Sequence, residues 1–233
     1  MSVDTPDRGP TQVPHYPSRP ASGSSAVTGD RARTVFGQVM GLVALTVGFV
    51  ALGAYVGRDL DGGAGIAFFV GAFGCVIGLN LASDRGREQL ATTLLFGLGL
   101  LLGLAVGPVI NDYANADPAA LWQAAAATGA FVATLGAVGY ATRRDLSSWA
   151  RTLLWALIAL IAFAIVAIFV AIPHANLIYA IAGLAIFGAF TIFDFNRLRR
   201  AGIESAAPIA ASIFLDIFNV FLFMLQLFGG QRD

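Results

Sequence analysis

The chemistry in this sequence rests on a few ionisable side chains within long apolar runs. A charged side chain at the centre of a bilayer costs about 2.5–3.5 kcal/mol on insertion scales, so each one found there is a functional candidate. Asp216 lies about ten residues into the last apolar run, roughly 15 Å along a helix axis, and no positive residue lies within a turn of it. Its partner must come from another segment. At helical spacing, Ser212, Asp216, Asn219, Phe223 and Gln226 share one face of that run. A polar stripe on an apolar span faces protein or water, so the last helix should be enclosed by the others and line any pathway. Asp194, in Thr191-Ile192-Phe193-Asp194-Phe195-Asn196, lies near the end of the preceding run. A short connection makes the two runs antiparallel neighbours and brings both carboxyls to similar depth. Two acids in a dry site cannot both ionise cheaply, so they take up a proton as a unit. The alternative for Asp194 is a side chain that snorkels to the interface beside Arg197. Arg85, in Asn80-Leu81-Ala82-Ser83-Asp84-Arg85, falls at the same end as Asp194. It reads either as a counter-ion reaching into the bundle or as a topogenic charge paired with Asp84 or Glu88, and composition alone favours the second.

The elements that must hold these groups follow from length and composition. The chain has 233 residues, 57% hydrophobic and 12% charged, with a mean hydropathy of +0.75. A soluble domain carries about 25% charged residues, so lipid must cover this surface. From Thr34 the chain alternates apolar runs of about 20 residues, enough to cross roughly 30 Å of hydrocarbon, with short polar breaks. Seven such runs are expected, at about 34–56, 64–82, 90–110, 119–141, 150–172, 175–195 and 207–228. In lipid each backbone polar group must be paired within its own segment, so the runs are helices. The fold class is an all-α bundle of seven transmembrane helices with the seventh central. Placing the N-terminus in the cytoplasm puts twelve of the fourteen arginines there and leaves Arg58 and Arg232 outside, a strong positive-inside bias. The C-terminus is then outside. Residues 1–30, rich in proline and serine, read as a disordered cytoplasmic tail, and residues 31–230 as the membrane domain.

Composition also excludes functions. There is no lysine, and so no Schiff base for a retinal cofactor. The single cysteine, Cys75, forbids an intramolecular disulfide. No zinc-hydrolase motif, nucleophile elbow or phosphate loop is present, and nothing suggests nucleic acid. His15 falls in the tail and His174 in an outer turn. Glycines four apart (Gly37 and Gly41, Gly53 and Gly57, Gly74 and Gly78, and Gly99, Gly103 and Gly107) permit close helix approach.

The stretch Ser212-Ile213-Phe214-Leu215-Asp216-Ile217-Phe218-Asn219-Val220-Phe221, preceded by Phe193-Asp194-Phe195-Asn196, resembles the Bax inhibitor-1 family. The likeness extends over residues 34–229, and Gly103 to Ala114, with Pro108 and Tyr113, also looks like that family's third helix and following loop. The resemblance implies a pH-sensitive calcium leak without a cofactor, in which Asp194 and Asp216 share protons and Arg85 latches the cytoplasmic end by bonding to Asp194. An arginine-only, alanine- and glycine-rich chain without an organelle signal reads as a bacterial plasma (inner) membrane protein, and the expected partners are the bilayer, calcium ions, protons and other membrane proteins. Two departures stand out: Gly74 falls near a position that is acidic in some members, and the connection between the two aspartates is slightly shorter than in close bacterial relatives.

Calcium prefers six to eight oxygen ligands, whereas this interior offers the two carboxylates with Asn219, Ser212, Thr191 and Asn80. Such binding is weak and transient, which suits transit rather than storage. Two other readings are an intramembrane aspartyl protease and a non-conducting modulator of other membrane proteins. The first lacks its Gly-x-Gly-Asp turn, since Ile213, Phe214 and Leu215 precede Asp216.

Overall fold

The computed structural model of the chain describes residues 23–60, 62–171, 173–202 and 206–229. The described elements are seven α-helices: α1 (Gly23–Gly57), α2 (Gly62–Asp84), α3 (Glu88–Ala116), α4 (Pro118–Ala141), α5 (Trp149–Phe169), α6 (Ala175–Leu198) and α7 (Ala206–Gly229). Each contains a stretch long and apolar enough to span a membrane, so the protein is a multi-pass bundle. Helix α7 packs against α6, α4, α1, α3 and α2, and more than half of its most apolar stretch is buried. It is the central helix, and α5, packed mainly on α6, is peripheral.

Three boundaries differ from the sequence expectation. Helix α1 begins at Gly23, inside the segment assigned to the tail. No proline follows Pro20 in that stretch, so nothing interrupts propagation of the helix toward the N-terminus. Residues 1–22 lie outside the described residues. Helix α3 runs through Pro108 to Ala116, where a loop was expected. Proline cannot donate to the carbonyl four residues earlier, that of Leu104, and this carbonyl lies against Gly57 of α1, where a Cβ would stand only 2.7 Å from it. Helix α5 ends at Phe169 rather than 172, and Val170 adopts an extended backbone.

The glycine pattern divides between packing and lipid. At the crossing of α1 and α3, a Cβ on Gly103 would collide with the carbonyl of Val50 and stand 2.9 Å from Ala54 N, and one on Gly53 would meet the backbone of Leu100 and Leu104. These two helices are therefore in backbone contact, and only glycine permits it. Gly37, Gly41 and Gly74 face open space. Among the described residues no helix approaches their side of α1 or α2 closely, so they mediate no close packing there.

The turns are short and capped. Gly86, at φ 68°, ends α2 in a Schellman turn: its N–H donates to Ser83 O (2.9 Å) and Arg87 N–H to Ala82 O (2.9 Å). Arg85 is the residue between helix and glycine. Asp117 separates α3 from α4, its N–H donating to Tyr113 O (2.8 Å) and its carboxylate accepting from Ala120 N (3.1 Å). Pro118 follows as the first residue of α4, a position where its missing N–H costs nothing.

Candidate functional site

Asp194 and Asp216 are brought together. Both side chains are 4% exposed, and their carboxyl groups lie within hydrogen-bonding reach of each other. Antiparallel packing of α6 on α7 brings this about. Asp194 therefore does not snorkel to the interface, although Arg197, one turn along the same helix, is its nearest favourable charge. Among the described residues, Asp216 Oδ2 is buried without a hydrogen-bond partner. A buried carboxylate oxygen in that condition requires a proton, a water or a cation to account for it.

The other polar groups of the expected pathway are tied to their own helices. Thr191, fully buried, donates its hydroxyl to Phe187 O (2.8 Å), and Ser212 donates to Pro208 O (3.2 Å). The Asn219 amide donates to Leu215 O (2.7 Å) and the Asn80 amide to Val76 O (2.8 Å). Each bond consumes a donor and leaves the side-chain oxygen as an acceptor. Thr191, Ser212 and Asn219 flank the acids at least partly buried, whereas Asn80 is exposed. Among the described residues, no group of three or more His, Cys, Asp or Glu side chains converges.

Phe223 and Gln226 continue the α7 stripe away from the acids. The Phe223 ring occupies the space left by the missing side chain of Gly183 on α6 and packs edge-on to Tyr179, with centroids 5.2 Å apart, and obliquely to Phe187. This aromatic cluster lies toward the arginine-poor end of α6 and α7. Gln226 is half-buried beyond it.

Arg85 is exposed in the α2–α3 turn, and among the described residues its guanidinium makes no ion pair or hydrogen bond. The contact with Asp194 implied by the family resemblance is not made in this arrangement.

Sequence reasoning missed an anchor at the arginine-rich end. Asn196, 1% exposed, donates its amide to Thr142 O (2.7 Å) and lies near the carbonyls of Gly139 (3.3 Å) and Arg144 (3.2 Å). It thus ties the end of α6 to the turn that follows α4. Its own carbonyl accepts from Arg200, which pairs with Asp145 at 2.7 Å. The Ser147 backbone N–H and then the Arg200 guanidinium hold the Asp145 carboxyl below the usual carboxylate range. The spacing of Asn196 and Arg200, one helical turn, was visible; their partners more than fifty residues earlier were not.

The family described as "Inhibitor of apoptosis-promoting Bax1" matches residues 32–233. A protein of Deinococcus radiodurans is 26% identical over 219 residues, covering 88% of this chain and 93% of its own length. One from Helicobacter pylori is 25% identical over 167 residues, covering 71% and 72%. The "Inner membrane protein YbhL" of Escherichia coli is 27% identical over 155 residues, covering 60% and 64%.

Proposed function

From the premise that the chain belongs to the Bax inhibitor-1 family, a non-enzymatic family of membrane proteins, we propose that it is a pH-sensitive calcium leak. The observation that carries this reading is the buried acid pair with one unpartnered oxygen at the heart of a membrane bundle. Fully ionised, the pair would place two negative charges in a site with little water, at a desolvation cost of several kcal/mol per ion. One proton shared between the carboxyls halves that charge and gives the orphaned oxygen a partner. A calcium ion arriving from solution offers the alternative compensation, so protons and cations compete for the same oxygens.

The ligand set suits passage. Two carboxyls, with the free oxygens of Thr191, Ser212 and Asn219, supply fewer ligands than a storage site needs, and an ion held this loosely can also leave. Arg85 supplies the latch in this reading: with Asp194 ionised, its guanidinium swings inward and closes the arginine-rich mouth. Arg85 lying in solvent fits the unlatched state of this reading. Phe223, against Gly183 and Tyr179, forms the apolar barrier on the other side of the acids.

The test is calcium flux into liposomes that contain the purified protein. Wild-type protein should conduct with a rate that depends on pH; Asp216→Asn should lose the pH dependence, and Arg85→Ala should lose the latched state. No flux from well-folded protein would refute the leak and favour the reading as a non-conducting modulator.

A further inference from the structure

A second feature lies on the flank of the bundle. Helices α1 and α4 meet through the edge-to-face contact of Phe36 and Tyr140, with centroids 5.2 Å apart, and among the described residues are not an extensively packed pair. Between them is a cleft of about 1340 Å³. Its walls are apolar or small, including Met40, Val47 and Val50 on α1 and Gly129, Val132 and Ala133 on α4, and its floor is Phe195, Phe214 and Phe218. Several wall residues, Val47, Gly129 and Ala133 among them, are exposed, so the cleft opens sideways, where the surrounding phase is lipid. It extends along α1 from Arg33 to Arg58, which is roughly 37 Å of helix against a hydrocarbon core of about 30 Å.

Its two ends are charged differently. At one end Arg58 is engaged, with Asp59 Oδ2 at 3.2 Å and the Tyr55 ring below it at 4.5 Å. At the other, Arg33 is exposed and among the described residues makes no ion pair or hydrogen bond. Tyr140, which also lines the cleft at that end, has a phenol without a hydrogen-bond partner among the described residues. The feature therefore combines an apolar slot that runs the depth of the hydrocarbon core, long enough for the acyl chains of a lipid in the leaflet at the Arg33 end, with a free guanidinium and a free hydroxyl at that end. Water does not fill apolar space of this kind, and a phosphate monoester in solution would leave the slot itself bare.

We propose that the α1–α4 cleft is a binding site for a membrane phospholipid, with acyl chains along Val47, Val132 and Ala133 and the phosphate at Arg33 and Tyr140. The site is separate from the acid pair and does not depend on whether the protein conducts.

The test is lipid retention by the full chain purified in mild detergent, read by native mass spectrometry and by lipid phosphorus, with phosphatidylglycerol added back after delipidation. Wild-type protein should retain phospholipid. Ala133→Trp, which fills the slot, should abolish retention, and Arg33→Gln should weaken it about tenfold, the effect expected for the loss of one charge-assisted contact. Ile165→Trp, on the exposed face of α5, should bind as wild type does. Glycerol phosphate without acyl chains should fail to compete. Because Arg33 is exposed, its variant gives an answer even if Ala133→Trp does not fold. Equal retention by wild type and Arg33→Gln, displacement by glycerol phosphate, only detergent in the cleft, or burial of the cleft between two copies of the chain in a cross-linked dimer would each overturn the proposal.

Discussion

At the scale of single residues, the acid pair makes a prediction that does not require transport. If Asp194 and Asp216 share a proton, the protein has a carboxylic acid C=O stretch that changes with pH in infrared difference spectra. Asp194→Asn and Asp216→Asn should each remove it; persistence of the band in both variants would show that the proton resides elsewhere. The Arg200–Asp145 pair behaves differently. Asp145 has a folded value below its unfolded one, so its contribution is complete above the unfolded value of about 3.9 and is lost as pH falls through the lower, folded value. It does not titrate near neutrality. Asp145→Asn should therefore leave any pH response near neutrality intact, while loosening the α4–α5 loop as judged by proteolysis. The two acids were legible in the sequence because charge is rare in apolar runs. The Asn196 anchor was not, because an asparagine beside a span end looks like an ordinary boundary residue until the distant carbonyls of Gly139, Thr142 and Arg144 are placed beside it.

Single helices and their contacts give two stability predictions. Asn196→Ala removes the bond to Thr142 O in the partly buried turn after α4, at a cost of about 1–2 kcal/mol. Thermal unfolding in detergent should shift downward by several degrees, roughly the effect of that much free energy on a chain of this size. Gly103→Leu forces a side chain into the backbone of α1 and should cost more, at least the roughly 1–3 kcal/mol of an overpacked core, with aggregated product on gel filtration. Gly37→Leu, facing open space, should change stability by no more than about 0.5 kcal/mol. A wild-type melting curve for Gly103→Leu would contradict the backbone contact of α1 and α3. The sequence contained both glycine sets at the same four-residue spacing. It could not separate them, because spacing defines a face and only the packed bundle decides which faces meet a helix. Helix lengths were legible for the related reason that hydrocarbon thickness fixes them. The extension of α3 from 110 to Ala116 was not, since Asn111, Asp112 and Asn115 read as the polar residues of a loop.

For the whole molecule, seven helices with a central α7 followed from composition, apolar run length and the polar stripe from Ser212 to Gln226. That stripe enters the interior because α7 is enclosed by five neighbours, and the antiparallel α6–α7 pair then sets Asp194 against Asp216. The position of Arg85 was less accessible to sequence. Its place at the end of α2 is set by the Gly86 turn, but the direction of its long side chain, into solvent, is not written in the residues around it. The central claim is that the proton load of one buried carboxyl pair governs calcium passage. Its most direct test is the rate of calcium entry into proteoliposomes across a pH series, comparing wild type with Asp194→Asn and Asp216→Asn. The account predicts a pH-dependent rate for wild type and pH-independent rates for both variants. Wild-type flux with an unaltered pH response in both variants would contradict it.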